Sequence, residues 1–171
     1  IVTIADGNTA TTASDTITDV TLANYQDSTI TSSVLTNLNL TGGSAATADT
    51  ASGTLTLNKS AADTSTDATT LNLNMASGFV EAIDGTLADI YTTVNITSAA
   101  AATIADVNFA AATTLNASGA GVTSITALTD LAAATAVNST GGGLTLGAAV
   151  GNATVVTGGA GIETITLGAS T

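Results

Sequence analysis

Residues 109–121 read FAAATTLNASGAG, and residues 131–143 read LAAATAVNSTGGG. The two stretches align at a shift of 22 residues, and both end in a glycine-rich segment. Self-similarity at a fixed interval of roughly 20 residues or more is typical of solenoid proteins, in which each repeat stacks on its neighbours. This pair of stretches therefore predicts a coiled architecture with one repeat per coil.

A four-residue motif of Thr, any residue, Leu or Val, and then Asn recurs along the chain. It occupies residues 36–39, 69–72, 92–95, 113–116 and 135–138, and a related pattern lies at 54–58. In coils stacked in register, equivalent asparagines form a hydrogen-bonded ladder along the axis. We expect one such ladder, placed at a turn position of each coil. Its expected members are Asn39, Asn58, Asn72, Asn95, Asn116 and Asn138, at intervals of 19, 14, 23, 21 and 22 residues.

The same motif predicts which side chains form the core. Strand residues alternate between two faces, so the Leu or Val before each Asn should point inward, whereas Thr suits a solvated strand surface. Aromatic residues make up only 2% of the chain, which favours thin aliphatic layers over a bulky core. We expect an all-β fold, a right-handed parallel β-solenoid with coils of about 20 residues. The right-handed sense follows from the general preference of parallel crossover connections.

Local patterns place the individual elements. Glycine-rich corners are expected at 42–43, 119–121, 141–143 and 158–161, where positive φ angles allow tight turns. Short helical turns are expected at Ser77–Asp89 and Leu128–Ala133, because Ala and Leu favour helix. Alternation of apolar and polar residues predicts strands at Val2–Ala5, Thr16–Leu22, Leu38–Leu40, Thr54–Asn58, Thr70–Met75, Thr92–Thr97, Thr113–Asn116, Ser124–Ala127, Ala136–Ser139, Leu144–Gly147, Thr154–Thr157 and Thr164–Leu167.

The charge composition limits the possible partners. The chain of 171 residues has 13 acidic residues and one basic residue, Lys59, which gives a formal net charge of −12. Binding to DNA or RNA neutralises phosphates with Lys and Arg, so we expect no nucleic acid partner, and anionic membrane surfaces are excluded for the same reason. Carboxylates without basic neighbours favour a cation. Zinc is not expected, because the chain has no His or Cys.

Catalysis is not expected either. A serine nucleophile would lack its usual histidine base. Paired carboxylates can hydrolyse glycosides, and parallel β-helices host polysaccharide enzymes. However, Tyr25, Tyr91, Phe79 and Phe109 are too scattered to form a platform for sugars.

The organisation of the chain suggests a piece of a larger repetitive protein. It begins at Ile1 and ends at Thr171 within a repeat-like stretch. Residues 1–30 repeat least clearly and are expected to form a cap or part of a neighbouring module, while 31–171 form the solenoid. Residues 1–20 lack the pattern of a signal peptide. The most apolar region, 98–137, contains Asp106 and Asp130, so no membrane insertion is expected.

Three segments resemble a known group of proteins. They are 29–43 (TITSSVLTNLNLTGG), 91–97 (YTTVNIT) and 158–166 (GGAGIETIT). In style they are similar to the β-strand repeats of bacterial surface-layer proteins and of related RTX-type proteins exported by type I secretion. The resemblance implies an extracellular location at the cell surface and self-assembly with lattice neighbours. It also implies Ca²⁺ as a cofactor, and attachment to a cell-surface polysaccharide through regions outside this stretch.

The third segment carries the calcium expectation. RTX nonapeptides read Gly-Gly-x-Gly-x-Asp-x-apolar-x, and Gly158, Gly159, Gly161 and Ile165 match that pattern. Glu163 stands where Asp is expected. In the family, backbone carbonyls and the Asp carboxylate face Ca²⁺ and successive turns share each ion. The resemblance therefore implies a degenerate edge repeat at this turn, and an ordinary solenoid turn is the alternative.

Other carboxylates offer further calcium ligands, since Ca²⁺ takes six to eight oxygens. Asp15, Asp19 and Asp27 lie close in sequence among Thr and Asn, and Asp63 and Asp67 lie in a Ser/Thr-rich loop. The alternative for each group, which the residues favour, is a solvated acidic loop. A third pair, Asp84 and Asp89, flanks the helical turn expected at Ser77–Asp89.

The expected function is structural. The chain should serve as a tile or spacer in a Ca²⁺-dependent surface lattice. The alternative is a stalk or binding segment of a large RTX adhesin. An ice-binding face is a variant of that alternative, suggested by Thr54-x-Thr56 and Thr164-x-Thr166, but equivalent coils do not repeat Thr-x-Thr in register.

Overall fold

A computed structural model describes residues 1–7, 13–42, 53–128, 131, 133–150 and 155–167. These residues form fourteen strands and one short 3-10 turn at Ala88–Ile90. The strands are β1 (Val2–Ala5), β2 (Asp19–Ala23), β3 (Ser28–Thr31), β4 (Asn37–Thr41), β5 (Thr54–Asn58), β6 (Thr70–Met75), β7 (Gly78–Asp84), β8 (Thr93–Ser98), β9 (Ala102–Val107), β10 (Thr114–Ser118), β11 (Thr123–Ala127), β12 (Ala136–Ser139), β13 (Leu144–Leu146) and β14 (Val155–Thr157).

The chain alternates between two seven-stranded parallel sheets. Sheet A has the order β1-β3-β5-β7-β9-β11-β13, and sheet B contains the even-numbered strands in the order β14-β12-β10-β8-β6-β4-β2. Each strand pairs with the strand that occupies the same place one coil earlier, so every coil contributes one strand to each sheet. The expected parallel β-solenoid is confirmed, with about six turns of about 23 residues.

The aliphatic core lies between the two sheets. In β6, Leu71, Leu73 and Met75 are buried, whereas Thr70, Asn72 and Asn74 face outward. The Leu or Val that precedes the motif asparagine is buried in all five copies, as expected from the period of two. These residues are Leu38, Leu71, Val94, Leu115 and Val137.

The helical turn predicted for Ser77–Asp89 is wrong over most of its length. Residues 78–84 form β7, which pairs with β5 and β9, and only the 3-10 turn at Ala88–Ile90 follows. The φ angle of Gly78 is 108°, which is incompatible with a right-handed helix. The apolar residues Phe79, Val80 and Ile83 gain more from burial in the sheet than from weak helical propensity. Half of the turn predicted for Leu128–Ala133, at positions 129, 130 and 132, lies outside the described residues.

Strand prediction failed mainly in sheet A. The strands β3, β7 and β9 were not predicted, and the strand expected at Thr164–Leu167 is reduced to two isolated bridges, Thr145 to Thr164 and Val150 to Leu167. Residues 1–30 supply β1 and β2, which pair with β3 and β4 and continue both sheets. The separate role expected for these residues as a cap or neighbouring module stays a prediction.

Glycines close the corners of the solenoid. Coils stack so tightly there that a Cβ atom at Gly121 would lie 2.1 Å from the backbone of Ala100, and one at Gly142 would lie 2.4 Å from the carbonyl oxygen of Gly121. A Cβ at Gly161 would in turn lie 2.3 Å from Gly142. These corners therefore require glycine because of direct backbone contact between coils, as well as for positive φ at Gly119 and Gly141.

Candidate functional site

The outer face of sheet B carries an asparagine ladder. Asn72 donates from Nδ2 to Oδ1 of Asn37 at 2.9 Å, and Asn95 donates in the same sense to Asn72 at 2.8 Å. Asn116 and Asn138 continue the row at 2.7 and 2.8 Å. Every amide donates towards the preceding coil, so the ladder has one polarity. The expectation of an asparagine ladder is confirmed, but the asparagines lie within strands and not at turns.

The expected membership of the ladder was partly wrong. Asn37, not Asn39, lies beside Asn72, because the register between β4 and β6 is shifted by two residues. Asn39 instead accepts at Oδ1 from Nδ2 of Asn74 at 2.8 Å in a second, shorter row. Asn58 lies in β5 of sheet A, where its Oδ1 accepts from the backbone N–H of Thr86 at 3.3 Å. A shift of two residues keeps the same side chains inside, so the hydrophobic pattern alone cannot detect it.

The threonine that opens four of the five motifs has a role that sequence reasoning missed. It lies at the corner before sheet B, where the hydroxyl of Thr92 donates to the backbone carbonyl of Thr69 at 3.2 Å. The same carbonyl accepts from the backbone N–H groups of Thr92 at 2.9 Å and Thr93 at 3.1 Å. Thr113 and Thr135 repeat this contact one and two coils later. The recurring spacing of Thr before Leu or Val was the available signal.

Asp15 is a buried carboxylate that joins distant segments. Its side chain is 6% exposed, and Oδ2 accepts from the backbone N–H of Ser33 at 2.5 Å and from the hydroxyl of Ser60 at 2.6 Å. The backbone N–H of Asp15 donates to Oγ of Ser65 at 2.7 Å. Charge-assisted hydrogen bonds of this kind hold the loop that follows β5 against the first coils. Asp15 therefore links the segment before β2 to the loop that follows β5.

The loop after β5 also contains the two aspartates predicted as a second calcium group. Asp67 pairs through Oδ2 with the ammonium of Lys59, and both side chains are about one-third exposed. Asp63 has one buried carboxylate oxygen, Oδ2, for which the structure shows no hydrogen-bond partner. The structure thus brings the Asp15 region and the loop of Asp63 and Asp67 to the same side of the molecule, through the contacts of Ser60 and Ser65 with Asp15.

Asp19 and Asp27 do not join Asp15. Asp19 lies on the outer face of β2, where Oδ1 accepts from Nδ2 of Asn37 at 2.6 Å and so ends the asparagine ladder. Asp27 lies just before β3 and accepts from the backbone N–H of Thr54 at 3.0 Å. Asp19 and Asp27 therefore each accept a hydrogen bond from the next coil, and the two carboxylates do not meet Asp15 at a shared site.

The glycine turn at 158–163 folds around its own carboxylate. Oε1 of Glu163 accepts from the backbone N–H of Gly159 at 3.1 Å. Gly161 stacks directly on the backbone of Gly142, as described above, and Ile165 packs partly against the core. The described part of this turn offers one carboxylate, which is far from the six to eight oxygens that Ca²⁺ takes.

Within the described residues, no three Asp, Glu, His or Cys side chains come together as a metal site. Calcium binding at Gly158, Gly159, Gly161 and Glu163, or at the aspartates above, stays a prediction. In the same part of the chain, no helix is long and apolar enough to cross a membrane.

The two outer faces differ in charge. Sheet A presents Glu81 and Asp84 on β7 and Asp106 on β9. From β4 to β14, the outward positions of sheet B carry only amide, hydroxyl and small apolar side chains. A shallow groove of about 250 Å³ borders this uncharged face, with Leu40, Met75 and Ala99 among its lining residues.

No protein-family model, no curated protein and no solved structure matches this chain.

Proposed function

We propose that this chain is a structural segment of a bacterial surface layer, exported by type I secretion and assembled outside the cell with Ca²⁺. The observation that carries the proposal is the continuous solenoid with repeated rows of small polar side chains on its surface. The asparagine ladder and the repeated hydrogen bonds from threonine hydroxyls to backbone carbonyls satisfy polar groups from coil to coil, and this suits a rigid tile more than a site that must change shape. A non-enzymatic role agrees with the residue types available.

Calcium has a defined part in this proposal. With 13 acidic residues and one basic residue, neighbouring copies repel each other at neutral pH. Calcium ions held between carboxylates of adjacent coils or copies would remove that repulsion. A ligand that binds only the folded chain also stabilises it, by about 2.7 kcal/mol at a concentration one hundred times its dissociation constant. Folding would then be completed only where calcium is abundant.

Calorimetric titration with Ca²⁺, with thermal melts before and after, tests this part. We expect stoichiometric heat and a raised melting temperature. Glu163→Gln should lose one equivalent of binding, whereas Glu81→Gln, at an exposed position outside the expected calcium groups, should leave the titration unchanged. Absence of heat together with an unchanged melt would contradict a calcium requirement of this chain.

Electron microscopy separates the lattice from its main alternative, a stalk of an RTX adhesin. The chain should form ordered two-dimensional sheets when Ca²⁺ is added, and chelation should disperse them. Isolated rods at all Ca²⁺ concentrations would favour the adhesin stalk. The uncharged outer face of sheet B favours the lattice, because it offers an area where copies can approach without bringing carboxylates together.

A further inference from the structure

We propose that the outward side of β4, β6, β8, β10 and β12, here called the amide face, is the surface through which two copies of this chain pack against each other. This inference rests on the proposed lattice role and names its contact surface. The partner is a second copy of the chain, related by a two-fold axis, with the amide faces opposed.

Spare hydrogen-bonding capacity makes the amide face self-complementary. An asparagine side chain has two N–H donors and one oxygen with two lone pairs. Within the ladder, Asn95 uses one donor towards Asn72 and accepts one bond from Asn116. One donor and one acceptor site therefore stay available on each interior amide. An array that presents equal numbers of donors and acceptors can bond to a copy of itself, which is what a two-fold interface requires.

Charge selects this face over the opposite one. The chain carries a formal net charge of −12, so most surfaces of two copies repel. Packing through sheet A would bring together Glu81, Asp84 and Asp106 from both copies, and like charges across an interface are costly. Packing through the amide face brings no charged side chain of its five strands into contact.

The size of the amide face determines how strong the contact can be. Five strands about 4.8 Å apart, with up to three outward positions about 7 Å apart on each, give roughly 500 Å². A stable free complex buries about 800 Å² on each partner. A single pair of amide faces is thus a weak contact, which becomes effective only when many copies are linked in an array.

A cross-linking experiment suits such a weak contact, and the chain has no cysteine of its own. Thr93→Cys places a thiol on β8 in the amide face, and Thr103→Cys places one on β9 in sheet A. Both positions are outward-facing and half-buried, so the thiols are matched in accessibility. With a short bismaleimide at high protein concentration, we expect Thr93→Cys to form covalent dimers at least five times faster than Thr103→Cys.

A second substitution tests whether the faces themselves cause the difference. Thr114 lies directly beside Thr93 on the neighbouring strand of the amide face. Thr114→Glu places a carboxylate there and should remove the faster dimerisation of Thr93→Cys. Ser124 lies directly beside Thr103 on the outer face of sheet A. Ser124→Glu adds the same charge there and should leave the faster dimerisation of Thr93→Cys unchanged. Circular dichroism and the melting temperature of each variant show whether it is folded. Equal cross-linking rates at the two cysteines in folded chains overturn the proposal.

The outcomes separate this inference from the proposed function. Ordered sheets together with equal cross-linking rates would mean that a lattice exists but uses another face, so the inference alone fails. Fast dimerisation through Thr93→Cys without sheets would retain the inference and remove the lattice. Equal rates combined with retention on an insoluble neutral polysaccharide that Thr93→Glu abolishes would overturn the inference in favour of a glycan partner.

Discussion

Among single residues, the two tyrosines show most directly how the core is packed. Tyr91 is fully buried and donates its hydroxyl to the backbone carbonyl of Leu35 at 2.7 Å, and its ring meets Phe109 edge-on at 6.5 Å. Tyr25 donates to the carbonyl of Phe79 at 3.3 Å. Burial raises the pKa of Tyr25 to about 12, and it raises the pKa of Tyr91 further.

These shifts predict loss of stability at alkaline pH. An unfolded tyrosine ionises near pH 10. Since the folded pKa is higher, the stabilising contribution is complete below pH 10 and is lost as the pH rises from 10 through 12. The chain has no tryptophan, so absorbance at 295 nm follows the two tyrosines. We expect a native midpoint near or above 12 and a midpoint near 10 in denaturant. Ionisation near 10 in a chain that retains its β-sheet circular dichroism would contradict this.

Asp15 allows a second prediction at this scale. Asp15→Ala leaves the buried N–H of Ser33 without its acceptor and frees the hydroxyl of Ser60. Loss of hydrogen bonds to a charged group predicts a decrease of about 3 kcal/mol in the free energy of unfolding, measured with urea. Asp89→Ala removes an exposed carboxylate and should change stability by less than about 0.5 kcal/mol. Equal effects of the two substitutions would show that the hydrogen bonds of Asp15 do not stabilise the fold.

Among elements, the strands of sheet B are linked by side chains as well as by backbone. The ladder passes through β4, β6, β8, β10 and β12 and ends on Asp19 in β2. An interior member holds the strands on both sides, whereas within the described residues Asn138 makes one ladder bond, towards Asn116.

Interior and terminal asparagines should therefore differ in effect. Asn95→Ala breaks two ladder bonds and should lower the free energy of unfolding by about 2 kcal/mol, and Asn138→Ala should lower it by about 1 kcal/mol. A double-mutant cycle between Asn95 and Asn116, measured by urea denaturation, should give a coupling above about 0.5 kcal/mol. Additive effects would mean that the amides act independently and that the ladder adds no cooperativity.

For the whole molecule, stability should vary along the solenoid axis. Each strand pairs only with strands of the adjacent coils, so the stability of a coil depends mainly on how well both neighbours cover it. Strands β8 and β10 have parallel partners on both sides, while β14 has one partner among the described strands, β12, and all three of its residues are exposed.

Hydrogen exchange should reveal this gradient. Backbone amides of β8 and β10 should exchange most slowly, and those of β14 should exchange orders of magnitude faster, because local opening at the edge exposes little core. Mass spectrometry of peptides from each strand gives the rates. Uniform protection from β4 to β14 would instead indicate one cooperative unit.

Much of this protein was determined by sequence alone. The alternation of Leu71, Asn72 and Leu73 specifies which side chains are buried, and the repeat of about 22 residues specifies coils, because both patterns are local and periodic. Only the tertiary structure decided the register of Asn37 beside Asn72, since a slip of two residues preserves every inward side chain. It also decided the hydrogen bond between Asp15 and Ser60, because a contact between residues 45 positions apart depends on how the coils stack and leaves no local pattern in the sequence.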